Sequence, residues 1–241
     1  MLIKLENPVL LAKAVDIMSE LVIEVKLRIN SSGIGITAID PANVAMVSFK
    51  IPKEAFSQFD VKDDSLGINL DSLKRILKRC GSNSTLFLEQ KDNTLVINIH
   101  DRIKRSFVLS LIDIEKEDKE MPDLDYNSRV KLNSADFVDS IEDCIVVSDA
   151  CSFIIKEGKF AIEAKGLNSA RSEFSSDEAE IIAQDCKSRY SLEYLQKFLK
   201  GAKLSDKTTL KFSESHPLRM DVKAENIELS FILAPRVETT D

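Results

Sequence analysis

Hydrophobic residues recur every three to four positions in two short stretches of the chain. Residues 70–81 read LDSLKRILKRCG, and residues 192–203, which begin 122 positions later, read LEYLQKFLKGAK. On a helix that turns about 100° per residue, the apolar side chains of each stretch fall on one arc and the basic side chains on the opposite arc. The pattern therefore predicts two amphipathic helices of one design, each with a basic face.

The two basic faces differ in their number of cations. The first consists of Lys74, Arg75, Lys78 and Arg79, and the second of Lys197, Lys200 and Lys203. Each helix also has an acid in its first turn, Asp71 or Glu193, where the helix dipole favours an anion. Because each acid stands four residues before a cation, we expect the ion pairs Asp71–Arg75 and Glu193–Lys197.

A further helix is predicted before each basic helix. Residues 7–21 begin with Asn7, expected as the N-cap, and Pro8, expected at the first helical position. Residues 133–144 open with Asn or Ser three residues before an acid. Elsewhere apolar and polar residues alternate, which predicts antiparallel strands with one buried face. The clearest alternating runs are 24–30, 33–39, 44–51, 94–100, 105–112, 159–167, 208–214, 218–224 and 227–234.

The order of helix, strands, helix and strands occurs twice along the chain. Between the two copies, residues 113–125 contain seven acidic residues, two basic residues and one proline, without an apolar run. Such a composition predicts a surface linker. An internal repeat of about 120 residues predicts a pseudo-symmetric chain. We therefore expect an α+β protein with two similar domains, residues 1–112 and 126–241, each made of antiparallel sheet with two helices.

Composition and charge narrow the functional classes. The 241 residues are 44% hydrophobic and 30% charged, which is typical of an ordered globular protein. No run reaches membrane-spanning length and the first residues do not resemble a signal peptide, so we expect a protein of the cytosol or nucleus. The formal net charge of -7 argues against a surface that binds nucleic acid everywhere, but is compatible with a local basic strip.

Motifs for catalysis and metal binding are not found in the sequence. Its four cysteines are irregularly spaced and only two histidines accompany them, so we expect reduced thiols and no metal. The Gly-Ile-Gly at 33–35 lacks the third glycine and the helix of a dinucleotide site, and predicts a strand turn. We expect no cofactor and no enzymatic activity, with a carboxylate-pair hydrolase as an open alternative.

Four segments resemble the sliding clamps of archaea and eukaryotes, the family of proliferating cell nuclear antigen (PCNA). They are residues 31–49, 66–81, 121–132 and 231–238, and the resemblance covers essentially the whole chain, with an archaeal type of charge pattern. It implies the DNA-clamp fold, in which three chains form a closed, pseudo-six-fold ring with the helices around the hole. It also implies a DNA polymerase processivity factor that encircles duplex DNA without reading its sequence.

The resemblance and the helical pattern together name candidate DNA-facing residues. Lys13, Arg75, Lys78 and Lys200 match basic lumen positions of the family, whereas Lys74, Arg79, Lys197 and Lys203 come from the helical pattern alone. Asp139 and Glu142 stand where eukaryotic relatives have arginines. We therefore expect weak, salt-sensitive affinity for DNA, with retention that depends on ring closure.

The resemblance also implies two protein-binding surfaces. A pocket for a client peptide corresponds to Ile39, Val44, Met46, Met121, Tyr126, Pro217, Ile232, Ala234 and Pro235. Lys119 stands where relatives often have leucine, so the preference for clients is expected to differ. Subunit contacts are expected between edge strands at 102–110 and about 168–176, with Lys104, Arg105, Phe107 and Glu173 as candidate contact residues.

The implied partners are duplex DNA, two further clamp subunits (identical or paralogous), DNA polymerase, flap endonuclease, DNA ligase and an ATP-driven clamp loader, with no membrane. The implied location is the cytoplasm of an archaeal cell, in association with the nucleoid. A checkpoint-type clamp subunit and an α+β interaction module that does not bind DNA are the alternative functions.

Overall fold

A computed structural model describes residues 1–115 and 119–237. The chain forms two compact units. The first contains residues 1–41, 47–121 and 225–229, and the second contains residues 42–46, 122–224 and 230–241. Three residues of the predicted linker, 116–118, and Glu238 at the end of the last clamp-like segment lie outside the described residues.

The first unit has two helices and antiparallel strands. The helices are α1 (Val9–Met18) and α2 (Leu70–Leu77). The strands are β1 (Leu2–Glu6), β2 (Glu24–Asn30), β3 (Gly33–Ile39), β4 (Ala45–Pro52), β5 (Gln58–Asp60), β6 (Asp64–Asn69), β7 (Thr85–Lys91), β8 (Thr94–His100) and β9 (Lys104–Ser110). The first two residues of β4 belong to the second unit. One sheet has the order β5-β1-β7-β8-β9, and a second group has the order β6-β2-β3-β4.

Alternation of apolar residues explains why these strands have one buried face. In β2 the residues Val25, Leu27 and Ile29 are buried, while the residues between them are exposed or half-buried. In β8 the residues Leu95 and Ile97 show the same pattern. Helices α1 and α2 pack against each other, and the buried sides of helices and sheets form the core of this unit.

The second unit repeats the plan. Its helices are α3 (Ser134–Ile145) and α4 (Leu192–Ala202). Its strands are β10 (Ser128–Asn133), β11 (Ala150–Lys156), β12 (Lys159–Lys165), β13 (Ser169–Phe174), β14 (Ala179–Ala183), β15 (Cys186–Ser191), β16 (Lys207–Phe212), β17 (Leu218–Ala224) and β18 (Ile227–Leu233), of which the first three residues belong to the first unit. The strand orders are β13-β12-β11-β15 and β14-β10-β16-β17-β18.

Aromatic packing centres the core of the second unit on Phe153. Its ring makes edge-to-face contacts with Tyr190 at 5.2 Å, Phe160 at 5.6 Å and Phe212 at 5.8 Å between centroids. All four rings are fully buried. Edge-to-face pairs of aromatic rings stabilise the fold beyond the free energy gained by burying aromatic area. These pairs therefore help to hold the strands of the second unit in position.

The predicted α+β fold with two helices in each repeat is confirmed, and one detail of capping was wrong. Helix α1 begins at Val9 with Pro8 as its N-cap, whereas Asn7 precedes the helix with a φ of 48°. In α2 the N-cap is Asn69, whose side chain accepts a hydrogen bond from the backbone N–H of Ser72 at 3.0 Å. Asn133 caps α3 in the same manner, accepting from the N–H of Ala135 at 2.8 Å.

Candidate nucleic-acid interface and partner surfaces

Helix α2 places its cations on the side opposite its buried leucines. Leu70, Leu73 and Leu77 are buried, whereas Arg75 and Lys78 are exposed. Arg79, just beyond the helix, and Lys13 of the neighbouring helix α1 are also exposed. The orientation predicted from the helical pattern is therefore the one observed.

A carboxylate on α1 neutralises part of this basic face. The Nζ atoms of Lys74 and Lys78 lie 2.9 Å and 3.1 Å from Oδ1 of Asp16. Lys74 also donates to Ser19 Oγ at 3.0 Å, and its side chain is only 23% exposed. Partial burial acts to raise the pKa of Asp16, but the hydrogen bonds from the two lysines outweigh it and lower that pKa. Lys74 and Lys78 thus already have an anionic partner.

Three cations of the helix pair α1 and α2 remain available for a phosphate. Within the described part of the chain, Lys13, Arg75 and Arg79 have no ion-pair partner. The ion pair predicted between Asp71 and Arg75 does not form among these residues. Because the guanidinium of an arginine presents several donors in a planar fork, Arg75 and Arg79 are well suited to bind phosphate oxygens.

Helix α4 repeats the design with fewer available cations. Leu195, Phe198, Leu199 and Ala202 are buried, and the cations lie on the other side. The predicted pair between Lys197 and Glu193 forms at 3.5 Å, and Lys197 also lies 5.0 Å from the ring centroid of Tyr194. Lys203 is bound to Glu142 of α3 at 3.0 Å. Lys200 is exposed.

The acids of α3 make the surface of this second helix pair predominantly negative. Asp136, Asp139, Glu142 and Asp143 are all exposed. A groove of about 520 Å³ beside α3 is lined by Asp139, Glu142, Lys203 and Asp206, among others. The helix pair of the second unit therefore offers a phosphate fewer uncompensated cations than that of the first.

The residues predicted for the client pocket divide between the two units. Ile39 and Met121 belong to the first unit, where both are half-buried. The others belong to the second unit: Val44, Met46, Tyr126, Pro217, Ile232, Ala234 and Pro235. Ala234 donates its N–H to the carbonyl oxygen of Val44 at 2.9 Å, which places the chain around residue 44 beside the C-terminal segment.

The expectation of an exposed apolar patch was wrong for Ile232. This side chain is 6% exposed, since it is packed within the second unit. Val44, Pro217, Ala234 and Pro235 are half-buried. They keep some surface from which a peptide could be bound.

Tyr126 packs beside His216, the neighbour of Pro217. The two rings meet edge-to-face at 5.6 Å. Burial raises the pKa of the Tyr126 phenol to about 12. The Tyr126 hydroxyl and His216 Nε2 are buried without a hydrogen-bond partner in the described part of the chain. A buried polar atom normally has a hydrogen-bond partner, which is ordered water, an ion or a polar group of a bound molecule.

The two strands predicted for subunit contact are both at sheet edges. β9 ends the five-stranded sheet and β13 ends the four-stranded sheet. Arg105 binds Asp101 and donates to the carbonyl oxygen of Arg79 at 3.0 Å. Glu173 binds Lys159 at 2.9 Å and Arg171 at 3.0 Å. Both residues thus have partners within their own unit, which weakens the expectation that they set strand pairing.

Two further predicted contact residues lie on β9. Lys104 is exposed and, within the described ranges, has no ion-pair partner, and Phe107 is half-buried.

The described residues contain no cluster of three potential metal ligands and no helix long and apolar enough to cross a membrane. The four cysteines are free thiols.

A helix pair packed on antiparallel sheets, present twice in the chain, defines the DNA-clamp fold. Solved structures of this fold are similar to the chain. PCNA of Entamoeba histolytica is 27% identical to this chain, with a TM-score of 0.90 over 98% of both chains. A chain of the PCNA2–PCNA3 complex of Sulfolobus tokodaii is 24% identical, with a TM-score of 0.88 over 99% of this chain and 100% of its own. At this lower identity the likeness concerns the fold alone.

The chain belongs to the PCNA family. Residues 1–120 match the N-terminal domain of proliferating cell nuclear antigen, and residues 120–237 match its C-terminal domain. The DNA polymerase sliding clamp of Thermococcus gammatolerans is 34% identical over 229 residues, 91% of this chain and 92% of its own length. That of Pyrococcus furiosus is 32% identical over 244 residues and 94% of both chains. The resemblance to archaeal clamps is confirmed.

Proposed function

We propose that this chain is a subunit of a ring-shaped sliding clamp that encircles duplex DNA and tethers a DNA polymerase to it. Membership of the PCNA family supports the proposal, since the relatives above are DNA polymerase sliding clamps. The observation that carries it is the exposed basic face of α2. Arg75 and Arg79 are exposed cations without an ion pair among the described residues, on a chain of net charge -7.

The basic face suits interaction with a duplex that moves. Phosphates attract lysine and arginine whatever the base sequence, so a phosphate that leaves a cation at one step along the duplex is replaced by its neighbour at the next. The negative charge of the rest of the surface disfavours binding of DNA elsewhere on the molecule. The proposed retention on DNA depends on a closed ring, and the helices contribute only weak, salt-sensitive attraction.

Ring closure requires one edge strand to pair with a different edge strand of the next subunit. Among the described residues, β9 and β13 are unpaired on one side, so each presents free backbone donors and acceptors. A head-to-tail contact between them repeats around the assembly and closes at the third chain. The proposed domains are residues 1–112 and 126–241, joined by the linker at 113–125. Two further subunits, identical or paralogous, complete the ring.

The proposed clients are DNA polymerase, flap endonuclease and DNA ligase, and a clamp loader opens the ring. Each client would insert a helical turn bearing apolar side chains beside Val44, Pro217 and Pro235, and the clamp itself would catalyse nothing. Half-buried apolar groups of this kind gain free energy when a partner covers them. No cofactor is required for such binding.

Solution mass and retention on circular DNA test the proposed function together. Light scattering should give about three times 27.0 kDa, with this chain alone or with its paralogues. Rings closed on a nicked plasmid should stay bound through gel filtration and leave once the plasmid is cut. A monomer that never joins other clamp subunits, or binding that is unchanged by cutting, would contradict the proposal.

The pocket needs a variant that leaves the core intact. Ile232→Asp would bury a charge, so loss of binding there would report misfolding. Val44→Asp places the same charge at a half-buried position and should weaken an aromatic client peptide at least tenfold. Asn43→Asp, at the exposed neighbouring position, is the matched control and should bind normally. Equal affinity of the two variants would reject the pocket.

A further inference from the structure

A trough crosses the outer face of the sheet in the first unit, away from the helices. It encloses about 400 Å³ and is lined by residues of β2, β3, β4 and the start of β18. Arg28 stands on one side and Lys50 on the other. Gly33, Gly35 and Thr37, which follow each other on one face of β3, form the floor.

The floor is low because two successive outward positions of β3 have no side chain. Gly33 needs to be glycine, since its φ is +141° and an added Cβ would lie 2.1 Å from the carbonyl oxygen of Ile51. Gly35 has no such need. A Cβ there would lie 3.5 Å from the carbonyl oxygen of Phe49 and 4.0 Å from Cγ of Lys50, which are ordinary contacts.

Gly35 is also unusual as a residue inside a regular strand. It is paired directly with Arg28, and the register of β2 and β3 continues without a bulge from there to Gly33. Glycine weakens a strand because it loses more backbone entropy and packs no side chain. A glycine that neither a turn nor a bulge explains marks a place where another backbone approaches the sheet closely.

The dimensions of the trough fit one extended chain. Neighbouring strands are about 4.8 Å apart, so the side chains of β2 and β4 stand about 10 Å apart across β3. Arg28 and Lys50 place two cations on the opposite walls, against one carboxylate, Glu228. Lys50 has no ion-pair partner in the described part of the chain. Arg28 also donates to the carbonyl oxygen of Lys119 at 2.8 Å, so this side of the trough is hydrogen-bonded to the linker.

We infer that this trough is a docking site for an extended, acidic segment of a partner protein. The backbone of the segment lies over Gly35, and a carboxylate side chain lies between Arg28 and Lys50. Ile39, predicted for the client pocket, is on the same face of β3, about 13 Å from Gly35 at about 3.3 Å per residue. The identification of the partner as a client of the clamp rests on the proposed function, whereas the binding site itself does not.

Fluorescence anisotropy with a labelled heptapeptide that has glutamate at alternate positions tests the site. The whole chain should bind this peptide with a dissociation constant below about 1 mM, and at least tenfold more tightly than the same peptide with lysine in place of glutamate. Gly35→Val fills the trough and should weaken binding at least tenfold. Because valine favours strands, this variant should keep or raise the thermal midpoint, which shows that it folds.

Charge reversal supplies the matched controls. Lys50→Glu should weaken the glutamate peptide at least tenfold, whereas Lys62→Glu, at an exposed position outside the trough, should leave it unchanged. Absence of binding, equal binding of both peptides, or equal affinity of the Gly35→Val variant would overturn the inference. Preference of the trough for a labelled oligothymidine over the glutamate peptide would also overturn it. Gly35→Val should still assemble and stay on circular DNA, so a failure of clamp function is scored separately.

Discussion

The helix pairs of the two units share one plan and differ in charge. Residues 9–20 and 70–79 of the first unit contain five cations and three acids, whereas residues 134–145 and 192–203 of the second contain three cations and five acids. In the first of these helix pairs, three of the five cations have no ion pair among the described residues. In the second, two of the three cations are bound to acids of the same helix pair.

Single positions account for much of the difference. With the spacing of 122 residues, Arg79 of the first unit corresponds to Gly201 of the second. Helix α4 continues through Gly201, which is buried, while α2 ends at Leu77 and leaves Arg79 exposed. Counted from the asparagines Asn7 and Asn133, Lys13 corresponds to Asp139. Each change removes a cation or adds an acid in the second unit.

One feature is common to both pairs. Nine residues after the same asparagines stand Asp16 and Glu142, and each binds a lysine of the following helix. These acids lower the positive charge that a duplex would meet. In the proposed clamp, the first unit therefore supplies most of the attraction for phosphate, and ring closure rather than this attraction holds the protein on DNA.

The largest expected effect comes from reversing charge in the first unit. Arg75→Glu with Arg79→Glu should weaken direct DNA binding at least a hundredfold at low salt and make the logarithmic salt slope shallower by about 2, since each phosphate contact contributes about 0.9. Lys200→Glu with Lys203→Glu reverses two cations of the second helix pair and should weaken binding less than tenfold. Filter binding across a salt series measures both. Equal losses would contradict the asymmetry.

The next effect concerns stability at the corresponding positions Arg79 and Gly201. A Cβ on Gly201 would lie 2.8 Å from a ring carbon of Phe231, which stacks on Phe198 at 4.6 Å. Gly201→Ala should therefore lower the free energy of unfolding by about 1 kcal/mol, because overpacking outweighs the gain in helix propensity. Arg79→Ala, at an exposed site, should change it by less than about 0.5 kcal/mol. Urea unfolding compares them, and a stabilised Gly201→Ala would show that the ring moves aside.

A smaller effect of opposite sign, a gain in DNA affinity, is expected when Asp16 or Glu142 is neutralised. Asp16→Asn releases Lys74 and Lys78 and should strengthen DNA binding several-fold. Glu142→Gln releases Lys203 alone and should have a smaller effect. Asp71→Asn removes an acid without an ion pair among the described residues and serves as the control. A gain for Asp71→Asn as large as that for Asp16→Asn would show that net charge matters and the ion pair does not.

The smallest effect is the pH dependence of the Asp16 ion pairs. The folded-state pKa of Asp16 is lower than its ordinary value of 3.8. Its ion pairs therefore stabilise the fold fully above the ordinary value, and this stabilisation is lost as the pH falls through the lowered folded-state pKa. The stability difference between the native chain and Asp16→Asn should therefore shrink from about pH 6 to about pH 3. Urea midpoints at the two pH values measure it. A difference that grows in acid would contradict the assignment.

Much of the fold could be predicted because alternation and helical periodicity are local signals. The strand runs 24–30, 33–39 and 218–224 coincide with β2, β3 and β17. β11 was missed because ACSFIIK is buried on nearly every residue and therefore shows no alternation. β1, with five residues, was too short to stand out beside the helix that follows.

The candidate sites were predicted less completely than the fold. The helical pattern placed Arg75 and Arg79 on the exposed side of their helix. It missed Asp16 as a partner of Lys74, because the two are separated by 58 positions and meet only when α1 packs on α2. The burial of Ile232 was missed for the same reason, since it depends on neighbours far away in sequence.

Photocrosslinking to duplex DNA tests most directly whether the helix pairs face the nucleic acid. A benzophenone side chain would replace Arg75, Lys200 or Lys223 in turn, and rings closed on a nicked plasmid would be irradiated. Lys223 is an exposed residue of β17, outside both helix pairs. The account predicts strong crosslinking from position 75, weaker crosslinking from position 200 and none from position 223. Crosslinking from position 223 that equals or exceeds the yield from position 75 would contradict it.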